Sequence, residues 1–124
     1  MRRWTASESG TATVELALLL PLLVVILVGV TEVAVAARIQ LELLNAAREG
    51  ARVAAVNPEP ADAVVAAEAA LGDMAADARI GVSRPNVVGE PAVVTIVLHH
   101  RIVPAFFGGT SVELRAKATM RVEK

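Results

Sequence analysis

"GTATVELALLLPLLVVILVGVTEVAVAA" (Gly10–Ala37) is the stretch that decides the fold of this chain. From Leu16 to its end, Glu32 is the single charged residue. A helix over those 22 residues is roughly 33 Å long, close to the thickness of a bilayer's hydrocarbon core. The sequence therefore predicts a transmembrane helix over residues 11–37. Pro21 and Gly29 do not argue against it, because membrane-spanning helices tolerate both residue types.

Flanking charges predict an orientation for this helix. Arg2 and Arg3 precede it, together with the amine of the chain start, and Arg38 follows it. Because the positive flank usually stays on the cytoplasmic side, we expect a single-pass membrane protein. Its N-terminus is then cytoplasmic and its C-terminal part extracytoplasmic.

Three interpretations of the N-terminus compete. The helix is an uncut signal anchor, or a secretory signal peptide cut after the small-x-small sequence Ala34–Ala36, or the start of a mature chain released from a leader. A signal peptide fits poorly, because its hydrophilic start would contain two glutamates and Glu32 would lie next to the cut. In the third interpretation residues 1–10 are a prepilin-type leader, and cleavage separates Gly10 from Thr11.

Glu15 is the residue that the third interpretation explains. After cleavage it is the fifth residue of the mature chain, on the same helix face as the new α-amino group of Thr11. A carboxylate at the edge of the hydrocarbon is costly unless it is paired, and that amine, or the amine of a neighbouring subunit, is a suitable partner. The alternative is that Glu15 is an ordinary interfacial residue, and the spacing alone leaves both open.

Beyond the membrane, "RIQLELLNAAREGARVAAV" (Arg38–Val56) predicts an extracytoplasmic stem helix. Its expected buried face follows three- and four-residue steps and contains Ile39, Leu43, Ala46, Ala47 and Val53. Gly50 interrupts a helix interior at a cost of about 1 kcal/mol relative to alanine, so it indicates either the close approach of another backbone or a bend.

Four neighbouring stem residues are candidate contacts for a partner: Arg48, Glu49, Gly50 and Arg52. The competing interpretation is a solvated face, because both arginines lie within one helical turn of Glu49 and suit intrahelical ion pairs.

Residues 57–124 are predicted to form a small α+β head. Asn57 is expected to cap a second helix with Pro58 at its first position, which runs to about Leu71 and is closed by Gly72. Strands are expected over residues 79–84, 91–103 and 112–123. The last strand alternates, so its even-numbered positions should form a dry face; these are Val112, Leu114, Ala116, Ala118, Met120 and Val122.

A turn is expected over residues 104–111 around Gly108 and Gly109, with Phe106 and Phe107 packed on the head rather than forming a contact tip. The predicted fold class is therefore α+β. A long N-terminal transmembrane helix continues into a stem that packs against a short helix and a small antiparallel sheet.

Composition excludes several functions. The chain has no cysteine and a formal net charge of −1, which argues against thiol chemistry and against nucleic acid as a partner. His99 and His100 are adjacent in a strand and point to opposite faces, so they cannot share one metal ion. No nucleophile motif or phosphate loop is present. We therefore expect no catalytic residues, no metal, no cofactor and no small-molecule substrate.

The chain resembles the TadE-like family of tight-adherence (Tad/Flp) pilus systems. The resemblance is carried by the G-x-x-x-V-E start (Gly10–Glu15), by Leu20 and Pro21 within the apolar run, and by the A-x-E-G-A-R block (Ala47–Arg52). The ending "ATMRVE" is also similar, whereas residues 57–79 carry no family motif.

This resemblance implies a pilin-like fold and a non-enzymatic minor pilin or pseudopilin of a type IVb pilus. A prepilin peptidase, an aspartyl protease of the membrane, would cut after Gly10. The mature chain would then remain in the lipid bilayer of the bacterial cytoplasmic membrane and assemble with other pilins or pseudopilins of the Tad system. Glu15 would match the fifth-position glutamate that pilins use for subunit alignment. An uncut membrane accessory protein with a binding head, and a secreted module released at Ala36, are the alternatives.

Overall fold

A computed structural model of the chain describes residues 8–102 and 108–123. Its elements are α1 (Glu8–Val56), α2 (Pro60–Leu71), a 3₁₀ helix (Gly72–Asp77), β1 (Ala78–Ser83), β2 (Pro91–Arg101) and β3 (Ser111–Arg121). The predicted α+β class, with one long N-terminal helix, one short helix and a small antiparallel sheet, is confirmed. The chain divides into two compact units, Met1–Val33 and Ala34–Lys124, and α1 contributes residues to both.

In the first unit, α1 is apolar and exposed along its described length. Its large apolar side chains, from Val14 to Val33, are between 40% and 73% exposed. Pro21 lies inside the helix and has no N–H to donate. The hydroxyl of Thr31 donates to the carbonyl of Leu27 at 2.9 Å, so this polar side chain is satisfied within the helix itself.

In the second unit, one face of α1 consists mainly of small residues. Leu43, Ala46 and Ala47 of the predicted stem face are fully buried, whereas Ile39 and Val53 are only half-buried. The buried face continues through further small residues, which are Gly50, Ala51, Ala54 and Ala55. Small side chains let neighbouring elements pack closely on the helix.

The junction between α1 and α2 is organised by Asn57. Its backbone N–H donates to the carbonyl of Val53 at 2.8 Å, which completes the last turn of α1. Its side-chain oxygen accepts from the N–H of Glu59 at 3.0 Å, and its amide donates to Asp62.

The predicted start of α2 is wrong by two residues. Pro60, not Pro58, occupies the first position, and the cap residue Glu59 is extended, with φ −84° and ψ 110°. The reason is local: Glu59 precedes a proline, which disfavours the helical conformation that a start at Pro58 requires. The predicted end is confirmed, because Gly72 closes α2 with φ +58°.

The sheet has the order β1–β2–β3, and both strand pairs are antiparallel. Alternate residues of β2 face the helices and are buried; these are Ala92, Val94, Ile96 and Leu98. Val94, Ile96 and Leu98 pack with Leu43 of α1 and with Ala67 and Leu71 of α2 in the larger core cluster. Ala92 belongs to a second cluster with Ala54, Ala63 and Val122. Both helices therefore cover the same face of the sheet.

In β3 the predicted dry face is confirmed only at its centre and its end. Ala116 and Val122 are buried, and Leu114 and Ala118 are half-buried. Val112 and Met120 are 38% and 37% exposed. β3 is an edge strand, so it has a neighbouring strand on one side only. Within the predicted turn, Phe106 and Phe107 lie outside the described residues.

Candidate functional site

The first turns of α1 carry the predicted leader junction. Gly10, Thr11 and Glu15 are helical and exposed, and the four-residue spacing places Thr11 and Glu15 on one helix face. The carboxylate of Glu15 forms neither a hydrogen bond nor an ion pair with any residue in the described part of the chain. Arg2 and Arg3, used above to predict the orientation, lie outside that part.

Gly10 is not required by packing or by a turn. A Cβ atom at this position would meet nothing within 4 Å, and the residue is helical rather than in the left-handed region. The same open space surrounds Gly29 in the apolar segment. Gly29 lies in the helix interior, where glycine costs about 1 kcal/mol relative to alanine. The described fold gives no packing reason for either glycine.

α1 has the length and composition of a membrane-crossing helix. It is the one such helix among residues 8–102 and 108–123, and none of its most apolar window is buried by the rest of the protein. Apolar side chains are exposed continuously from Leu16 to Val30. Soluble monomers rarely expose contiguous apolar patches larger than a few hundred Å², so this surface indicates a lipid or protein environment.

The candidate stem residues separate into two groups. Gly50 is buried, and a Cβ atom there would lie 3.1 Å from the carbonyl oxygen of Ala63, 3.2 Å from Cβ of Ala67 and 3.3 Å from Cγ1 of Val94. Of the two explanations for this glycine, the close approach of another backbone agrees with the structure. Gly50 is therefore not part of the exposed surface on which Arg48 and Arg52 lie.

Glu49 and Arg52 form an ion pair on the exposed side of the stem. Nη2 of Arg52 donates to Oε1 of Glu49 at 2.6 Å, and Nε donates to Oε2 at 3.1 Å. These hydrogen bonds are the main cause that lowers the pKa of Glu49 below its ordinary value of 4.5; partial desolvation opposes them and the positive charge of Arg52 adds to them. Arg48 is exposed and pairs with no residue that the structure describes.

His99 and His100 lie on opposite faces of β2. His99 is exposed, with Nε2 3.6 Å from Oε2 of Glu113 on β3. His100 is half-buried on the helix-covered face. Within residues 8–102 and 108–123, no three His, Asp or Glu side chains are grouped so that they could hold a metal ion.

Sequence reasoning missed two side chains that hold the stem in place. Nε2 of Gln40 on α1 donates to the backbone carbonyl of Arg115 at 2.8 Å. Nε of Arg84, just after β1, donates to the carbonyl of Ala54 in the last turn of α1 at 2.7 Å. Both contacts join residues far apart in the chain, so no local pattern indicates them.

Comparison with known proteins agrees with the motifs at the start of α1. A family model described as TadE-like protein matches residues 10–52. No curated protein and no solved structure matches the chain. The matched segment begins at Gly10, contains Glu15, and ends at Arg52 in the A-x-E-G-A-R block. The resemblance to the TadE-like family is thereby confirmed over residues 10–52.

Proposed function

We propose that this chain is a membrane-anchored, pilin-like subunit of a tight-adherence pilus and that it works by assembly rather than catalysis. The TadE-like match over residues 10–52 carries the proposal. It supports an association with a Tad pilus, and it places Gly10 and Glu15 at the beginning of a long apolar helix.

Membrane anchoring is the first step of the proposed function. The exposed apolar surface of α1 from Leu16 to Val30 suits lipid. A helix also satisfies its backbone polar groups internally, which the hydrocarbon core demands. The rest of the chain, from Arg38 on, then forms the extracytoplasmic stem and head.

Cleavage between Gly10 and Thr11 is the second step. Gly10 is helical although the space around it would accept a side chain, so its use there calls for a reason outside the fold. A peptidase that needs an unobstructed backbone on one side of the cut supplies that reason. Because α1 begins at Glu8, the bond lies in its first turns, where helix ends fray and become accessible.

Alignment through Glu15 is the third step. Its carboxylate is exposed and unpaired among the described residues, and an unpaired charge beside hydrocarbon is costly. Cleavage creates a positive amine on Thr11, four residues away. In an assembly the same carboxylate can accept the amine of a neighbouring subunit, which fixes how far one helix is displaced along the next.

The N-terminal sequence of the chain recovered from membranes of piliated cells tests the proposal. We expect it to begin at Thr11, and we expect Gly10→Val to leave the chain starting at Met1. Gly29→Val is the matched control, because position 29 is equally open and lies far from the cut, so cleavage should be normal. A wild-type chain that starts at Met1 in assembled fibres contradicts the proposal.

The same measurement separates the alternatives. α1 continues through Gly10 and Thr11 without a break, and this observation favours an uncut anchor with a binding head. That protein would start at Met1 and be absent from fibres. A secreted module would start at Ala37 and be recovered outside the cells.

A further inference from the structure

The face of the sheet that points away from the helices is strongly basic. In β2 the even-numbered residues are buried against the helices, so the odd-numbered residues point the other way. The strand register pairs odd-numbered residues of β2 with odd-numbered residues of β1 and β3, so these positions share one face. Five of its residues are exposed cations, namely Arg79, Arg101, Arg115, Lys117 and Arg121. We call these residues the basic face.

Glu113 is the single acid among the strand positions of that face. Its Oε1 accepts from Nη2 of Arg115 at 2.9 Å, and its Oε2 lies 3.6 Å from Nε2 of His99. One carboxylate therefore offsets only a part of the positive charge. The formal net charge of −1 for the whole chain conceals this surface.

The compensating negative charge is concentrated in the segment from Glu59 to Asp77, which contains α2 and the 3₁₀ helix. This segment has no lysine or arginine. Five acids lie in it, all exposed, namely Glu59, Asp62, Glu68, Asp73 and Asp77. We call these residues the acidic segment.

The basic face and the exposed side of α2 lie on opposite surfaces of the unit 34–124. α2 buries Ala63, Ala67 and Leu71, and the last two join the core on the covered face of the sheet. Asp62 and Glu68 lie on the exposed side of the same helix. The helix layer thus separates the α2 acids from the cations.

We propose that the basic face binds the acidic segment of a second copy of this chain, in a head-to-tail contact. The two surfaces complement each other in charge, and each carries five like charges. Because the basic face and the acids of α2 lie on opposite sides, the contact is heterologous and leaves one of each surface free at the ends of a pair. A heterologous contact repeats and produces a ring or a filament. This inference depends on unit 34–124 alone and does not rest on cleavage after Gly10.

A charge-swap experiment on the full chain in zwitterionic detergent tests this contact. The sheet variant carries Lys117→Glu and Arg121→Glu; the helix variant carries Glu68→Lys and Asp73→Lys. We expect each variant alone to associate about tenfold more weakly than the wild type, since several exposed pairs are lost together. An equimolar mixture should recover association, because each copy then presents the surface that the other needs. Sedimentation velocity measures all three samples.

Net charge is controlled by a third variant. Each reversal changes the charge by two, so the sheet variant goes from −1 to −5. Arg38→Glu with Leu41→Glu and Asn45→Glu gives the same −5, because the last two changes each add one negative charge, but it alters exposed positions of α1 instead of the sheet. It should associate like the wild type. Loss of association by this variant alone, to the level of the sheet variant, would attribute the effect to bulk charge and overturn the proposal.

A cross-linking experiment locates the contact, since the chain has no cysteine of its own. Thr119→Cys places a thiol on the sheet face and Ala69→Cys places one on the exposed side of α2. Mild oxidation should link the two variants to each other at low salt and about tenfold less at ~0.5 M salt, where screening acts within a few ångströms. Each variant should not link to itself.

Two results contradict the assignment of a second copy. One is self-linking of Thr119→Cys at the same rate as the mixed pair, which indicates a symmetric contact. The other is a chain that does not self-associate in any sample while its sheet variant loses binding to polyglutamate, which assigns the basic face to a different acidic partner.

Discussion

Gly50 of α1 lies so close to Ala63 of α2 that a Cβ atom at position 50 would be 3.1 Å from the carbonyl oxygen of Ala63. The neighbour in this contact is backbone, which cannot rotate away as a side chain can. The same position also touches Ala67 and Val94. The stem, the second helix and the sheet thus meet at Gly50. Glycine in a helix costs about 1 kcal/mol relative to alanine, and here it allows the three elements to pack closely.

Gly50→Val should destabilise the unit 34–124. An isopropyl group added at a fully packed position forces shifts that typically cost about 1–3 kcal/mol, and β-branching adds nothing favourable in a helix. Thermal unfolding followed by circular dichroism in detergent measures the change. Gly81→Val is the matched control: its nearest neighbour would be 3.9 Å away, and valine suits a strand. Equal midpoints for the two variants would contradict the packing role of Gly50.

Arg84→Met should destabilise the end of α1. Arg84 supplies a positive charge and a 2.7 Å hydrogen bond to the carbonyl of Ala54, and the last turn of α1 has no basic residue of its own. Loss of such a contact costs about 1–2 kcal/mol. Arg79→Met serves as the control, because this exposed arginine lies on the opposite face of the sheet, where substitutions usually change stability by less than about 0.5 kcal/mol. Hydrogen exchange at Ala54 and Ala55 should quicken only in the first variant.

The pKa of Glu49 should depend on Arg52. The hydrogen bonds from Arg52 lower the pKa of Glu49 below 4.5 in the folded chain. A depressed carboxyl pKa contributes stability that is present above pH 4.5 and is lost as the pH falls through the folded value. We expect this contribution to be small, because the pair is exposed.

Carboxyl chemical shifts in an NMR pH titration measure this pKa directly. Arg52→Gln should raise it towards 4.5. Arg48→Gln is the matched control at a neighbouring exposed position and should change it much less. A pKa that moves equally in both variants would show that the general field of the stem, rather than the Arg52 hydrogen bonds, sets it.

Glu15→Ala should impair assembly more than membrane insertion. Removal of the carboxylate removes the partner of the N-terminal amine, yet makes the helix more apolar, so insertion persists. We expect the share of the protein recovered in sheared fibres to fall about tenfold, as follows from losing roughly 1.4 kcal/mol of subunit interaction. Immunoblots of the fibre and membrane fractions give this ratio.

Glu15→Asp is the conservative control for this position, since it keeps the charge and shortens the side chain by one methylene. It should recover a part of the assembly. Normal piliation of cells that carry Glu15→Ala would contradict a pairing role of Glu15, whatever the N-terminal sequence shows.

Local chemistry made several elements predictable. The apolar run from Leu16 to Val30 contains no charged residue. Its length and composition alone therefore predict a membrane-spanning helix. Gly72 ends α2 because a residue without Cβ adopts a positive φ at little cost. The start of α2 was missed because two nearby prolines both suit a first helical position, and the choice depended on what Pro60 does to Glu59.

The candidate site divides in the same way. Gly10, Thr11 and Glu15 follow from spacing and from the TadE-like motif, and their cleavage and pairing remain predictions for experiment. The role of Gly50 required α2 and β2 to be placed beside it, because a glycine gives no signal of what approaches it. The basic face was hidden by a near-neutral total charge and emerged only when the strand register brought together cations from three strands.

By itself, the sequence determined which segments are helical or extended and which of them is apolar enough for a membrane, because these properties depend on neighbours within one or two turns. The tertiary structure alone decided which surfaces face each other and which like charges share a face. The clearest cases are Arg84, which contacts the end of α1, and Gln40, which contacts β3. Their partners are 30 and 75 residues away, and only the packing of the helices on the sheet brings such distant groups within hydrogen-bonding distance.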